Sequence, residues 1–169
     1  MMKCLECGGA MATRRENYRY DACGLPGVTL VNINVSRCPT CGEVEAAIPN
    51  IEGLHRHLAR RLTEKKCRLT GPEVRFLRKW LGWSGQYFSE FMGVAAETVS
   101  RWELGSQQIG PVADRLLRCF VLTRVPKTDY SLDLMKRVAR CRAKPSKLAM
   151  EPFKGGWEAA ALTAASTVL

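Results

Sequence analysis

Two Cys-x-x-C knuckles constrain this chain more than anything else in it: Cys4-Leu5-Glu6-Cys7 and Cys38-Pro39-Thr40-Cys41, each followed by a glycine, Gly8 and Gly42. Two intervening residues let both sulfurs of one knuckle reach a single ion. The glycine just after lets the backbone turn so that its N–H groups approach the sulfurs. Two such knuckles complete four thiolates, the coordination Zn²⁺ favours in structural sites. Thirty residues separate Cys7 from Cys38, enough for a hairpin that brings the knuckles together. The expected cofactor is one structural Zn²⁺ per chain, held by Cys4, Cys7, Cys38 and Cys41.

Other uses of these thiols fit less well. A dithiol redox centre needs one Cys-x-x-C at a helix start in a βαβ setting, which this segment lacks. Cys4-x-Glu6 superficially resembles the ligand-x-Glu element of a nucleobase deaminase. That signature also needs Pro-Cys-x-x-Cys, whereas Pro39 lies inside its knuckle. Four protein ligands leave no coordination position for water, so the ion is expected to be architectural and the protein not an enzyme. Cys23, Cys67, Cys119 and Cys141 lack such partners; Cys119 suits a core position and Cys23 a spare thiol.

No uncharged apolar run approaches the roughly 20 residues a membrane helix needs. The start of the chain lacks the apolar stretch of a secretory signal, so a cytoplasmic address is expected, and there metal ligands or buried thiols precede disulfides. Lys and Arg outnumber Asp and Glu by 26 to 16, a formal +10. That balance favours polyanionic partners without selecting one. The excess is spread along the chain, and no segment is a basic tract.

The pattern predicts an α+β protein in four parts. Residues 1–49 form a small β-rich zinc-binding module, in which Val31, Ile33 and Val35 alternate with polar residues and Tyr18 and Tyr20 suggest a partner strand. Residues 50–68 form a helical connector capped by Asn50, with Ile51, Leu54, Leu58 and Leu62 on one face and Arg56, Arg60, Arg61, Lys65 and Lys66 on a solvated one. Residues 69–125 form an all-α helix-turn-helix domain. Residues 126–169 form a basic C-terminal extension, partly helical near 132–142 or disordered, because Pro145, Pro152 and Gly155-Gly156 interrupt regular structure.

Within the helical domain, a helix opened by Ser84 and broken at Gly93 precedes a second helix from Ala95 to Glu103. Phe88, Met92, Val94 and Val99 suit the wedge between them. A short helix, a glycine turn and a second short helix match helix-turn-helix architecture, whose second helix enters the major groove end-first. Its leading residues Ala96, Glu97, Thr98, Ser100 and Arg101 are then the candidates for base contacts. Arg101 suits guanine O6 and N7, Glu97 can accept from cytosine N4, and Ala96 and Thr98 suit a thymine methyl. Ser84, Gln86 and Tyr87 are placed for phosphate contacts. The competing reading pairs Arg101 with Glu97, its i−4 neighbour. On the last helix of the domain, apolar residues surround too much of the circumference for one stripe, so Leu117, Phe120 and Val121 are assigned to a homodimer interface. A two-fold dimer suits a palindromic operator.

This order of modules resembles the MqsA-type antitoxins, also called the YgiT-type zinc-finger/helix-turn-helix family, over roughly residues 1–125. Gly93-Val94 through Ser100-Arg101-Trp102-Glu103-Leu104-Gly105 also resembles the wider Xre/Cro-like helix-turn-helix class. The resemblance implies a homodimeric repressor that binds double-stranded DNA at a palindromic operator. It implies too that the zinc module binds a small toxin protein, as the antitoxin of a type II toxin-antitoxin system. Family members read DNA with an Asn and an Arg four residues apart; the Arg falls on Arg101, and Glu97 replaces the Asn. A stand-alone transcription factor is the alternative. A zinc-knuckle RNA-binding protein is a third reading, on Arg14, Arg15, Arg19 and Arg37 beside Tyr18 and Tyr20.

Overall fold

The computed structural model describes residues 2–124 and 142–161. They divide into two compact units: a sheet unit from 2–20, 28–54 and 148–161, and a helical unit from 21–27, 55–124 and 142–147.

The sheet unit is organised around β2 (Val28–Arg37), which pairs antiparallel with β1 (Ala12–Arg19) on one edge. Its other edge is shared by β3 (Val44–Ala46), antiparallel to residues 35–37, and β4 (Leu148–Phe153), parallel to residues 28–30. β5 (Gly156–Ala159) returns antiparallel on β4. The strand begins three residues before the Val31–Val35 alternation. A bulge in β2 takes up one extra residue between Leu30 and Ile33, with Asn32 at φ 55°. The bulge restores phase, so Val28 and Leu30 share the buried face with Ile33 and Val35 while Val31 does not.

The expected loose extension is corrected over its described strands. Leu148–Phe153 and Gly156–Ala159 complete the sheet, burying Ala149, Met150 and Trp157. Trp157 Nε1 donates to Pro49 O at 2.8 Å. The residues that read as breakers have places in this arrangement. Gly155, at φ 107°, makes the two-residue turn of the β4–β5 hairpin. Pro152 lies past Leu30↔Met150, where the β2–β4 ladder ends, so its missing N–H costs no pairing. The expected helix near 132–142 lies outside the described residues except for Arg142, which is not helical, and the terminal stretch 162–169 lies outside them too.

The helical unit contains most of α1 (Ile51–Thr63), then α2 (Gly71–Trp80), α3 (Gly85–Met92), α4 (Ala96–Leu104) and α5 (Pro111–Arg124). Asn50 caps α1 as expected, its Oδ1 accepting from Gly53 N at 3.0 Å. The solvated face of the connector is corrected at Lys65. Its ammonium is nearly buried against the Glu73 carboxylate, 2.7 Å away, because Glu73 on α2 needs charge compensation where only 2% of its surface is exposed.

The loop after α1 is fastened to α5 by one fully buried arginine. Arg118 Nε donates to Asp114 Oδ1 at 2.6 Å, and its Nη atoms donate to the carbonyls of Thr63, Lys65 and Cys67. Asp114 Oδ2 accepts from Leu69 N at 2.7 Å. The Arg118 guanidinium and the Asp114 carboxylate are thereby paired with three loop carbonyls and the Leu69 N–H.

Candidate metal centre and nucleic-acid interface

The two knuckles fold alike. Cys4 N donates to Gly9 O and Gly8 N to Cys4 O; Cys38 N donates to Glu43 O and Gly42 N to Cys38 O. Gly8 and Gly42 take φ of 72° and 80°, the left-handed conformation the turn requires. Cys4 Sγ lies 3.5 Å from Cys41 Sγ and Cys7 Sγ 3.4 Å from Cys38 Sγ, and all four sulfurs fall within 4.8 Å of one another. Four sulfurs at about 2.3 Å from a tetrahedral ion would stand roughly 3.8 Å apart, so the set fits a metal ion. A Cβ on Gly9 would press on Thr40 Oγ1 at 3.2 Å and make ordinary contact with Cys7 Sγ at 3.4 Å and Cys38 Sγ at 3.6 Å.

The thiols compete for protons. Backbone N–H groups of Cys41 and Thr40 lower the Cys38 thiol to about 6. At Cys41, the Glu43 backbone N–H pulls down, but the thiols of Cys4, Cys7 and Cys38 prevail and raise it to about 12. One thiolate is favoured and a second is resisted, which a divalent cation among the four would reverse. Of the other cysteines, Cys23 and Cys119 form no disulfide. Cys67 is disulfide-bonded, correcting the expectation that it lacks a partner; tertiary proximity, not spacing in sequence, decides such pairing.

In the helical unit, Ser84 caps α3 through its side chain, which accepts from Tyr87 N at 3.0 Å, and Gly93 ends the helix at φ 65°. Phe88 and Val99 are buried between α3 and α4, while Met92 and Val94 are half-buried. The leading end of α4 is open: Ala96, Glu97, Ser100 and Arg101 are exposed and Thr98 half-exposed. Among the described residues no ion pair joins Arg101 to Glu97. Ser84 and Gln86 are exposed on the same unit. Tyr87 stacks edge-on against Trp83, centroids 5.5 Å apart, and so belongs partly to an aromatic cluster.

The trailing end of α4 is braced instead. Arg78 on α2 grips Glu103 with two hydrogen bonds of 2.5 and 3.1 Å and gives a third to Trp83 O at 2.7 Å. Gly71, the first residue of α2, leaves no room beside the end of α4: a Cβ there would fall 2.5 Å from Glu103 O and 2.7 Å from Trp102 O. Both obstacles are backbone. Gly71→Ala is therefore expected to push α4 off its seat, lowering stability by about 1–3 kcal/mol in chemical denaturation. Sequence inspection missed Gly71, Arg78 and Glu103, since the contact between helix start and helix end spans about thirty residues.

The dimer assignment is corrected. Leu117 and Val121 are fully buried within the chain, and Phe120 is half-buried against Phe91 and Trp83, at 4.6 and 5.3 Å between centroids. The wide apolar circumference of α5 is consumed by its own unit, because Trp83 and Phe91 cover a second side of it. Among the described large apolar and aromatic side chains of α3 and α5, Tyr87, Phe91, Val112 and Leu116 stay exposed. No protein-family model matches the chain, and no curated protein matches it. No helix of the described residues is long and apolar enough to cross a membrane.

Proposed function

We propose that this protein is a zinc-stabilised, sequence-specific DNA-binding regulator. The observation that carries the reading is the contrast along α4, whose trailing end is held by Arg78 and Gly71 while its leading residues stand in solvent. A rigid helix with a free N-terminal end is what major-groove reading requires. The unpaired Arg101 keeps its guanidinium free for a base edge, most naturally guanine. The four-sulfur cluster favours Zn²⁺ over harder cations, because thiolates are soft ligands and the set closes a tetrahedron.

The reading includes a homodimer on a palindrome, docked through Phe91, Val112 and Leu116 rather than Leu117 and Val121. It also includes an antitoxin role, supported by the order of a metal module before a helix-turn-helix. A stand-alone regulator shares every one of these structural features. A small toxic reading frame beside the gene, silenced by co-expression, separates the two.

The test is selection of bound duplexes from a random DNA pool with purified protein, followed by Arg101→Ala. An enriched palindrome is expected. The substitution should cost about 1–3 kcal/mol on the selected duplex and relax preference at one position. Equal losses on selected and random duplexes would reduce Arg101 to a phosphate contact, and no enrichment would end the proposal.

A further inference from the structure

Among the described residues, β1 is the outermost strand of its sheet, paired by β2 alone. Which of its backbone groups face outward follows from the far side of β2. Asn34 O accepts from Ala47 N at 2.9 Å, so Asn34 turns its backbone toward the β3 side. Ile33 and Val35 then turn theirs toward β1, where they pair with Glu16 and Arg14. The alternate residues Thr13 and Arg15 therefore direct N–H and C=O away from the sheet. Residues 12–15 are all exposed, so this row of donors and acceptors is open among the described residues.

An open row of this kind templates another strand, and charge decides which strand it accepts. Directly paired residues share a face, so Arg14 lies on one face with Val35 and Arg15 on the other with Asn34. Each arginine borders a cavity. On the first face a space of about 310 Å³ is lined by Arg14, Glu16, Arg37 and Cys38; on the second, one of about 450 Å³ is lined by Arg15, Asn34 and Ile48. Glu16 is already engaged by Arg37 at 2.5 Å. Arg14 and Arg15 enter no ion pair among the described residues.

We infer that β1 is a docking edge for an extended segment of a partner protein that carries two adjacent acidic residues and adds as a strand beside Thr13 and Arg15. Adjacency matters because successive side chains of a strand point to opposite faces: one carboxylate meets Arg14 and the next meets Arg15. The same two arginines repel a basic strand, which gives the edge its selectivity. The inference stands on the sheet unit alone, whether or not α4 reads DNA. It also supplies the antitoxin branch of the proposed function with a surface and a chemistry.

The probe is a capped, fluorescein-labelled octapeptide, Thr-Val-Thr-Glu-Glu-Thr-Val-Thr, titrated by anisotropy against the full-length, metal-loaded chain. Two control peptides carry Gln-Gln in place of Glu-Glu, or the two glutamates spaced one residue apart and so on one face. The adjacent-Glu peptide is expected to bind about tenfold tighter than either control, the worth of two partly exposed ion pairs, and to slow amide exchange at Thr13 and Arg15. Thr13→Pro removes an outward N–H that β2 does not use, and should weaken binding about tenfold while Thr13→Val does not. Circular dichroism and metal content report whether each variant folds, and Arg14→Glu with Arg15→Glu should abolish the preference for the acidic peptide. Equal affinity for all three peptides, or indifference to Thr13→Pro in a folded variant, overturns the inference in favour of diffuse charge attraction. Self-association that Thr13→Pro abolishes also overturns it, since the occupant would then be a second copy.

Discussion

Replacing Arg118 with alanine will destabilise the helical unit by about 3–5 kcal/mol, the range for removing one partner of a buried, hydrogen-bonded charge pair. The cost has two parts. Asp114 loses its counter-charge in a place with no access to water, and the carbonyls of Thr63, Lys65 and Cys67 lose their donor. A simple buried ion pair can often be exchanged for apolar residues with little loss. This one cannot. The double substitution Arg118→Met with Asp114→Leu would still strand three carbonyls and the Leu69 N–H, so it should recover little of the single variant's loss. Urea unfolding followed by helical circular dichroism measures both. A double variant as stable as the parent would mean that water reaches the loop and satisfies those groups.

Cys38→Ser will abolish tight metal binding, lowering affinity by more than about a hundredfold, beyond what loss of a mere supporting residue costs. Metal analysis of the parent should return one zinc per chain and of the variant almost none. Structural zinc contributes on the order of 10 kcal/mol to the folding of small metal-bound peptides, so the knuckles at Cys4–Gly9 and Cys38–Glu43 should lose amide protection. The helical unit, with its own buried core, should keep its signal. The parent's affinity should also fall as pH falls. Protons reclaim thiols such as Cys41, held near 12 by its sulfur neighbours, before the metal can use them. A pH-independent affinity would show that the metal displaces no thiol protons and is not held by these sulfurs.

These two sites differ in how far the sequence announced them. The cluster of Cys4, Cys7, Cys38 and Cys41 was legible because a Cys-x-x-C knuckle has a fixed local spacing, and each is closed by its own backbone hydrogen bonds. Ser84, Gly93 and Gly105 were legible for the same reason: caps and left-handed turns are decided within a few residues. Arg118 read as one more cation on a basic chain. Nothing within a turn of it signals that three carbonyls about fifty residues earlier would surround its guanidinium.

The C-terminal strands carry the same lesson. Pro152 and Gly155 argue locally against a regular element, yet β4 forms because β2 offers a ready edge at Val28–Leu30 and Trp157 finds a carbonyl at Pro49. The dimer assignment failed in the opposite direction. Leu117 and Val121 are apolar enough for an interface, but Trp83 and Phe91 reach round α5 from a loop and from α3. Apolar character says that a side chain will be covered without saying by what.

By itself, the sequence determined the four cysteines that cluster, the β module before a helical one, and the turn that separates α3 from α4, all marked by patterns among near neighbours. Only the tertiary structure decided that residues 148–159 return to complete the first sheet, that Arg118 and Glu73 go inside, and which apolar residues stay outside. Those outcomes depend on which distant groups arrive to satisfy a buried charge, an open strand edge or an uncovered apolar face. Satisfaction at a distance leaves no periodic mark on the chain.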